Sequence, residues 1–252
     1  AGQGDGRVLF GVKALQQRAG ADQAWGLRIL CMHPLIIGAG LLAALACSTA
    51  ARSACPGPGA PLAETFIAAD CPGCWAGTQA PAQPGWRLDW ITPTGADAPL
   101  AAAALDDARD RLQRTGAAAP TSTAPQQLRR AGVPARPGLS LRVGAGPAWR
   151  GYFGVQLSLL PPMRPAWPAG TTAWMALVEQ LPAGSEGNAQ ARALVRSVAG
   201  PLPLDGANPG QRLTHLRALR WPETAQPERL QARAWLEAPD GRIIAMAADG
   251  CR

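Results

Sequence analysis

The cysteines restrict this chain more than any other residue type. Six occur among 252 residues, and two of them, Cys31 and Cys47, border an apolar stretch near the start. The other four are Cys55, Cys71, Cys74 and Cys251. An even set of this kind fits an oxidising compartment, where thiols pair instead of staying reduced. Four cysteines allow three pairings. Cys71-Pro72-Gly73-Cys74 is a C-x-x-C, close enough to pair within itself, which leaves Cys55 and Cys251 to join. That second bond closes a very long loop and contributes about 4 to 5 kcal/mol in the chain-entropy account. A four-cysteine zinc site is the rival, but it ordinarily needs two C-x-x-C knuckles, and this sequence has one.

An export signal agrees with the disulfides. From Met32 the sequence runs Met-His-Pro-Leu-Ile-Ile-Gly-Ala-Gly-Leu-Leu-Ala-Ala-Leu-Ala-Cys47 and then into small residues. This is the apolar region and cleavage region of a secretory signal, placed over residues 32–54. Residues 1–31 carry no period that would bury a face and are expected to be an untranslated or disordered leader. No Lys or Arg separates Met32 from its apolar core, although Arg28 serves if the upstream residues are real. Two rivals remain: Ile29 to Ala46 approaches a short membrane span, and Ala44-Leu45-Ala46-Cys47 is a loose lipobox. A bacterial periplasmic or secreted protein is therefore expected, held at a membrane only through an uncleaved or lipidated leader.

Charge excludes little but redirects the reading. Over the whole chain the net charge is +7, yet from Cys55 onward 19 basic residues face 15 acidic ones, so it falls to +4. Every one of those basic residues is Arg, since the only Lys is Lys13. Exclusive use of Arg beside abundant Ala, Gly and Pro points to a GC-rich coding sequence, not to a nucleic-acid footprint. Apart from Arg129-Arg130 the arginines are scattered, with no aromatic-basic alternation, and no nucleic-acid partner is expected. Gly184-Ser185-Glu186-Gly187 lacks the spacing of a nucleophile elbow, which argues against a hydrolase. His215 is the one histidine downstream of the leader, so a histidine-based metal site is unsupported, and it is expected to be a hydrogen-bonded strand residue. No cofactor is implied.

Periodicity places the cysteines at the end of a strand. Pro61 to Asp70 reads as a buried strand that runs into Cys71, and Trp86 to Ile91 alternates Trp86, Leu88 and Trp90 on one face. Ala98 to Arg114 is the strongest helical segment, Gln126 to Arg130 a short helix or turn, and Pro137 to Val143 a strand. Beyond Gly144 six short alternating segments, over 151–160, 172–180, 191–199, 212–220, 230–237 and 242–248, are separated by turn residues. Pro239-Asp240-Gly241 is a hairpin turn.

These residues resemble a known family. Glu64-Thr-Phe66 leading to Cys71-Pro-Gly-Cys74, the Trp-rich second strand, the Pro137-led third strand and the segment Ala207 to Arg217 containing His215 are similar to the secreted thioredoxin-like family catalogued as domain of unknown function 1223. The resemblance covers about Leu62 to Cys251. It implies an α/β plus β fold: a thioredoxin-like domain over 55–145 followed by a β-rich, sandwich-like domain over 146–252.

On that basis thiol–disulfide exchange is the leading expectation, with protein thiols or disulfides as partners. Cys71 would attack and Cys74 resolve. Glu64, on the strand beneath, would take or supply the proton if buried. Pro137, placed like the proline that opens the strand facing the C-x-x-C in thioredoxin folds, would be cis and shape a substrate groove, and Trp75 would wall it. Against this stands the short sequence after Cys74, which leaves at most about two turns of the helix that normally depresses the thiol pKa. The alternative is a noncatalytic, disulfide-stapled envelope scaffold or binding protein, with Cys71–Cys74 a permanent bond and Glu64 a solvated strand residue.

Overall fold

The computed structural model describes residues 55–77, 86–164, 168–204 and 207–251. The leader over 1–31, the signal over 32–54 and the lipobox at Cys47 lie outside the described residues. Ten strands are formed among the described residues. They are β1 (Leu62–Ala68), β2 (Trp86–Thr92), β3 (Gln126–Arg130), β4 (Ser140–Trp149), β5 (Tyr152–Leu160), β6 (Thr172–Leu181), β7 (Arg192–Pro203), β8 (Leu213–Arg220), β9 (Leu230–Glu237) and β10 (Ile243–Ala248). The two α-helices among the described residues are α1 (Pro72–Ala76) and α2 (Asp106–Thr115). The hairpin between β9 and β10 closes as its sequence demands: Gly241 sits at φ 80°, where a side chain is disfavoured, and the Asp240 carboxylate accepts the Arg242 N–H.

The expected α/β thioredoxin-like domain is not formed, because the structure is mostly β. A seven-stranded mixed sheet runs in the order β10-β9-β6-β7-β2-β1-β3, and a second sheet runs β4-β5-β8. Among the named strands only β1–β2 and β2–β7 pair in parallel, whereas a parallel α/β sheet needs helices over both faces. Here one helix, α2, covers part of one face, and a sheet covers part of the other. The boundary expected between residues 145 and 146 falls inside β4, and strands from both sides of it share the larger sheet.

Two local expectations change for identifiable reasons. Gln126 to Arg130 is a strand, antiparallel to β1 with Leu128 opposite Glu64. It closes an edge of the large sheet whose backbone groups would otherwise lack partners. The helix expected from Ala98 begins only at Asp106, because the Leu105 N–H donates to the Ile91 carbonyl at 3.0 Å and pulls the chain onto the end of β2. Only a 3₁₀ turn over Ala101–Ala103 forms upstream of that point.

The large sheet buries both faces. Leu62, Phe66 and Trp90 pack with Trp174 and Trp235 and with Ala108 and Leu112 of α2. Phe66 stacks on Trp90, and Trp174 on Trp235, with ring centroids 5.7 and 5.9 Å apart. The opposite face sets Met175, Leu177 and Leu236 against Val155, Leu157 and Leu159 of the three-stranded sheet. The result is a two-sheet sandwich with one helix added. The Cys55–Cys251 disulfide joins residues 196 apart in sequence, with 5.6 Å between the Cα atoms.

Candidate functional site

The C-x-x-C sits where β1 turns into α1. The Cys71 N–H donates to the Ala68 carbonyl, which reverses the chain as the strand ends. Pro72 takes the first helical position, where its missing N–H costs no intrahelical hydrogen bond. Cys71 and Cys74 are joined as a disulfide, and the Cys74 N–H donates to Cys71 Sγ at 3.2 Å. The helix ends after five residues, at Ala76.

That closed turn is held from below by a buried arginine. Nη2 of Arg192, the first residue of β7, donates to the carbonyls of Cys74 and Gly77 at 3.2 Å each and also to the Trp75 carbonyl. These are the carbonyls a short helix leaves without partners, and a cation is the favourable group to meet them. The guanidinium also lies 4.9 Å from the Trp75 ring centroid and 3.4 Å from Asp89 Oδ1. Burial pushes the Arg192 pKa down and the neighbouring Arg87 adds to this, while Asp89 opposes both. Asp89 Oδ2 in turn accepts the Ala193 N–H at 2.9 Å. The indole N–H of Trp75 donates to the Glu186 carbonyl at 2.8 Å, so that ring is pinned and buried instead of walling an open groove.

Accessibility decides the chemistry available. Cys71 is 3% exposed and Cys74 9% exposed, packed among Ile67, Trp75, Ile91 and Leu194, whereas Pro72 and Gly73 between them face solvent.

Glu64 is buried, but not beside the cysteines. It faces the α2 side of the sheet with Phe66 and Trp90, while Cys71 and Cys74 join the cluster of Ile67 and Ile91. Both Glu64 oxygens accept from Arg111 at 3.0 Å, and one also accepts from Arg130 at 2.8 Å. Burial alone would raise the carboxyl pKa; the Arg111 and Arg130 charges and hydrogen bonds outweigh it, so the pKa lies below the ordinary value and the group is an ion-paired carboxylate. Arg111 also reaches Glu237 at 2.7 Å and stacks 4.5 Å from the Trp174 centroid. The solvated strand residue of the alternative reading is thus replaced by a buried network.

Pro137 is exposed in the β3–β4 connection, and its peptide bond is trans; the one cis bond among the described residues is Gly200–Pro201. Its neighbour Leu139 packs into the core between the two sheets, away from the cysteine cluster. The structure therefore brings together Cys71 and Cys74, and separately Cys55 and Cys251, but places neither Glu64 nor Pro137 in the cysteine cluster. The ring Nε2 of His215 is buried without a hydrogen-bond partner among the described residues. Its pKa is lowered by burial and by Arg217.

Sequence reasoning missed Arg192 and Asp89, the groups that hold the turn. They lie 103 residues apart on parallel strands, and no local spacing links them. Among the described residues no cluster of three or more His, Cys, Asp or Glu is placed to hold a metal ion. Also among them, no helix is long and apolar enough to cross a membrane. Both disulfides are compatible with an extracytoplasmic compartment. In comparisons with known proteins no family model matches the chain, and no curated protein or solved structure matches it.

Proposed function

We propose that this chain is an exported, noncatalytic binding module, periplasmic or secreted, in which Cys71–Cys74 and Cys55–Cys251 are structural staples of a β-sandwich. The observation that carries the reading is the burial of both sulfur-bearing residues at the C-x-x-C, 3% and 9% exposed. Exchange requires an incoming thiolate to reach one sulfur of the bond, and a covered bond resists it. The Arg192 cap and the Trp75 hydrogen bond support the same reading, since both lock the turn shut. Dithiol-driven reduction of a protein disulfide tests it. Wild type and Cys71→Ser/Cys74→Ser should both match the rate without protein; acceleration by wild type that the double variant loses contradicts the reading.

One observation favours a second reading, thiol–disulfide exchange with protein thiols or disulfides as partners. The Cys74 N–H aimed at Cys71 Sγ would stabilise a Cys71 thiolate once an external dithiol, itself oxidised to its disulfide, has reduced the bond. In that reading the Cys71 thiolate attacks one sulfur of a partner disulfide and expels the other as thiolate. Cys74, losing its proton to solvent, then attacks Cys71 Sγ, re-forming the internal bond and releasing the partner's second thiolate. The two electrons pass from the Cys71/Cys74 pair to the partner. The assay above separates the two readings.

A further inference from the structure

The scattered arginines of the sequence are sorted by the fold. Residues 139–164 and 207–222, which contain the whole three-stranded sheet, hold no Asp or Glu; the nearest carboxylate along the chain is the exposed Glu223 in the turn after β8. They hold Arg142, Arg150, Arg164, Arg212, Arg217 and Arg220, all exposed. Among the described residues none of the six forms an ion pair. Their contacts are weaker. Arg212 donates to the Ser158 hydroxyl at 2.7 Å, Arg217 to the Leu216 carbonyl at 2.8 Å, and Arg150 lies 5.7 Å from the Trp149 centroid. A carboxylate does reach this sheet: Asp249 accepts the Ala145 N–H at 3.4 Å. In the larger sheet, by contrast, Glu64, Asp89, Glu179 and Glu237 are all paired with arginine.

Exposed apolar groups collect in the same layer. Trp149 is 73% exposed, Met163 70%, Leu216 64% and Tyr152 47%, and these are the exposed large hydrophobic residues of the described chain. Trp149 and Tyr152 pair at the β4–β5 hairpin, and Leu216 lies opposite Gln156 on the outward face of β8. Met163 follows β5 directly. The inner face of this sheet is buried against the larger one; the outward face sets Gly154 beside Ala218, with Arg142 and Arg212 towards one end and Arg220 towards the other, while Arg217, opposite buried Val155, lies on the other side of β8.

We infer that the outward face of β4–β5–β8 is a docking surface for an anionic phospholipid membrane. Guanidinium groups without carboxylate partners suit lipid phosphates, which they engage bidentately. Trp149 and Tyr152 suit the interfacial layer, where an aromatic ring is half in hydrocarbon and half in water. Leu216 and Met163 decide between membrane and soluble polyanion. An aliphatic side chain gains little against a charged polymer backbone but is buried at the acyl boundary. Exposed apolar groups set among unpaired cations mark an interaction surface; here they are spread along the sheet, Trp149 and Tyr152 at one end, Leu216 in the middle and Met163 past the other end. The inference gives a partner to the binding module proposed above and rests on that reading only for the role, not for the surface itself.

Sedimentation of the full chain with vesicles tests it. Binding to phosphatidylglycerol/phosphatidylcholine vesicles should exceed binding to pure phosphatidylcholine and should weaken as salt rises. Any contribution of the apolar stretch before Cys47 is common to both vesicles, so the difference between them is the readout. The triple variant Arg142→Gln/Arg212→Gln/Arg220→Gln should lose on the order of a hundredfold of the anionic component, at about fivefold for each arginine. Leu216→Ser/Met163→Ser should weaken vesicle binding several-fold while leaving the urea midpoint unchanged. Equal binding to both vesicles overturns the inference, and so does a triple variant that binds like wild type. Heparin binding that needs the arginines, with vesicle binding that ignores Leu216 and Met163, overturns it in favour of a soluble polyanion. Loss of this surface with Cys71–Cys74 inert in exchange leaves the stapled module standing; an active cysteine pair with intact vesicle binding refutes the module and keeps the surface.

Discussion

Glu64 joins three elements: its carboxylate on β1 holds Arg111 of α2 and Arg130 of β3 inside an apolar shell. Removing one partner of such a buried group costs up to about 3 to 5 kcal/mol, an upper bound here because Arg111 and Arg130 both keep Glu237. Glu64→Gln should lower the unfolding free energy by up to that much in urea titration. The pH dependence follows from the lowered carboxyl pKa. Its stabilisation is full above the ordinary value of 4.5 and is lost as pH falls through the lower folded value. Wild type should therefore lose stability below about pH 4.5, and Glu64→Gln should flatten that limb; an unchanged acid limb would place the titration elsewhere. Arg192→Met removes the cap on α1 and leaves Asp89 without one of its buried partners. It should make Cys71–Cys74 reducible at lower dithiol concentration, read by alkylation mass shift. At this scale the disulfides were legible, because C-x-x-C spacing and an even count need only the sequence. The arginine partners were not: Arg111 and Arg130 stand 47 and 66 residues from Glu64, and uniform use of Arg removes any compositional cue.

Among the elements, apolar patterning located β1, β2, β5, β6, β8, β9 and β10 to within about two residues, while β7, expected over 191–199, runs on to Pro203. Short polar segments were decided by pairing. Gln126–Arg130 has no strong intrinsic preference, and it becomes a strand because β1 offers an open edge and Glu64 a partner for Arg130. α2 ends at Gly116, which sits at φ 66° with its N–H donating to the Gln113 carbonyl. Gly116→Ala should cost about 1 kcal/mol of stability, seen as a lower thermal midpoint. The Cys55–Cys251 bond ties the start of the described chain to the segment after β10. Cys55→Ser/Cys251→Ser should destabilise the fold by up to about 5 kcal/mol, since the loop it closes is long. No change in the urea midpoint would mean that the open chain is already ordered there.

For the whole molecule, the α/β thioredoxin-like fold was the reading that failed, and the boundary expected near residue 145 falls inside β4. Local periodicity cannot show that β6, β7 and β9 enter the same sheet as β1 and β2, because that pairing spans more than a hundred residues. A shared sheet predicts one cooperative urea transition, coincident by tryptophan fluorescence and far-ultraviolet circular dichroism. Two separated transitions would restore the boundary near residue 145. The basic outer face was hidden for the same reason, since arginines far apart in sequence meet only through the β5–β8 pairing.

The central claim is that Cys71–Cys74 is a covered staple, and its reduction potential tests this most directly, by alkylation mass shift across a glutathione series. The account predicts a value below about −300 mV, as for structural disulfides. A value above about −230 mV would place the pair among exchangeable dithiols and contradict it.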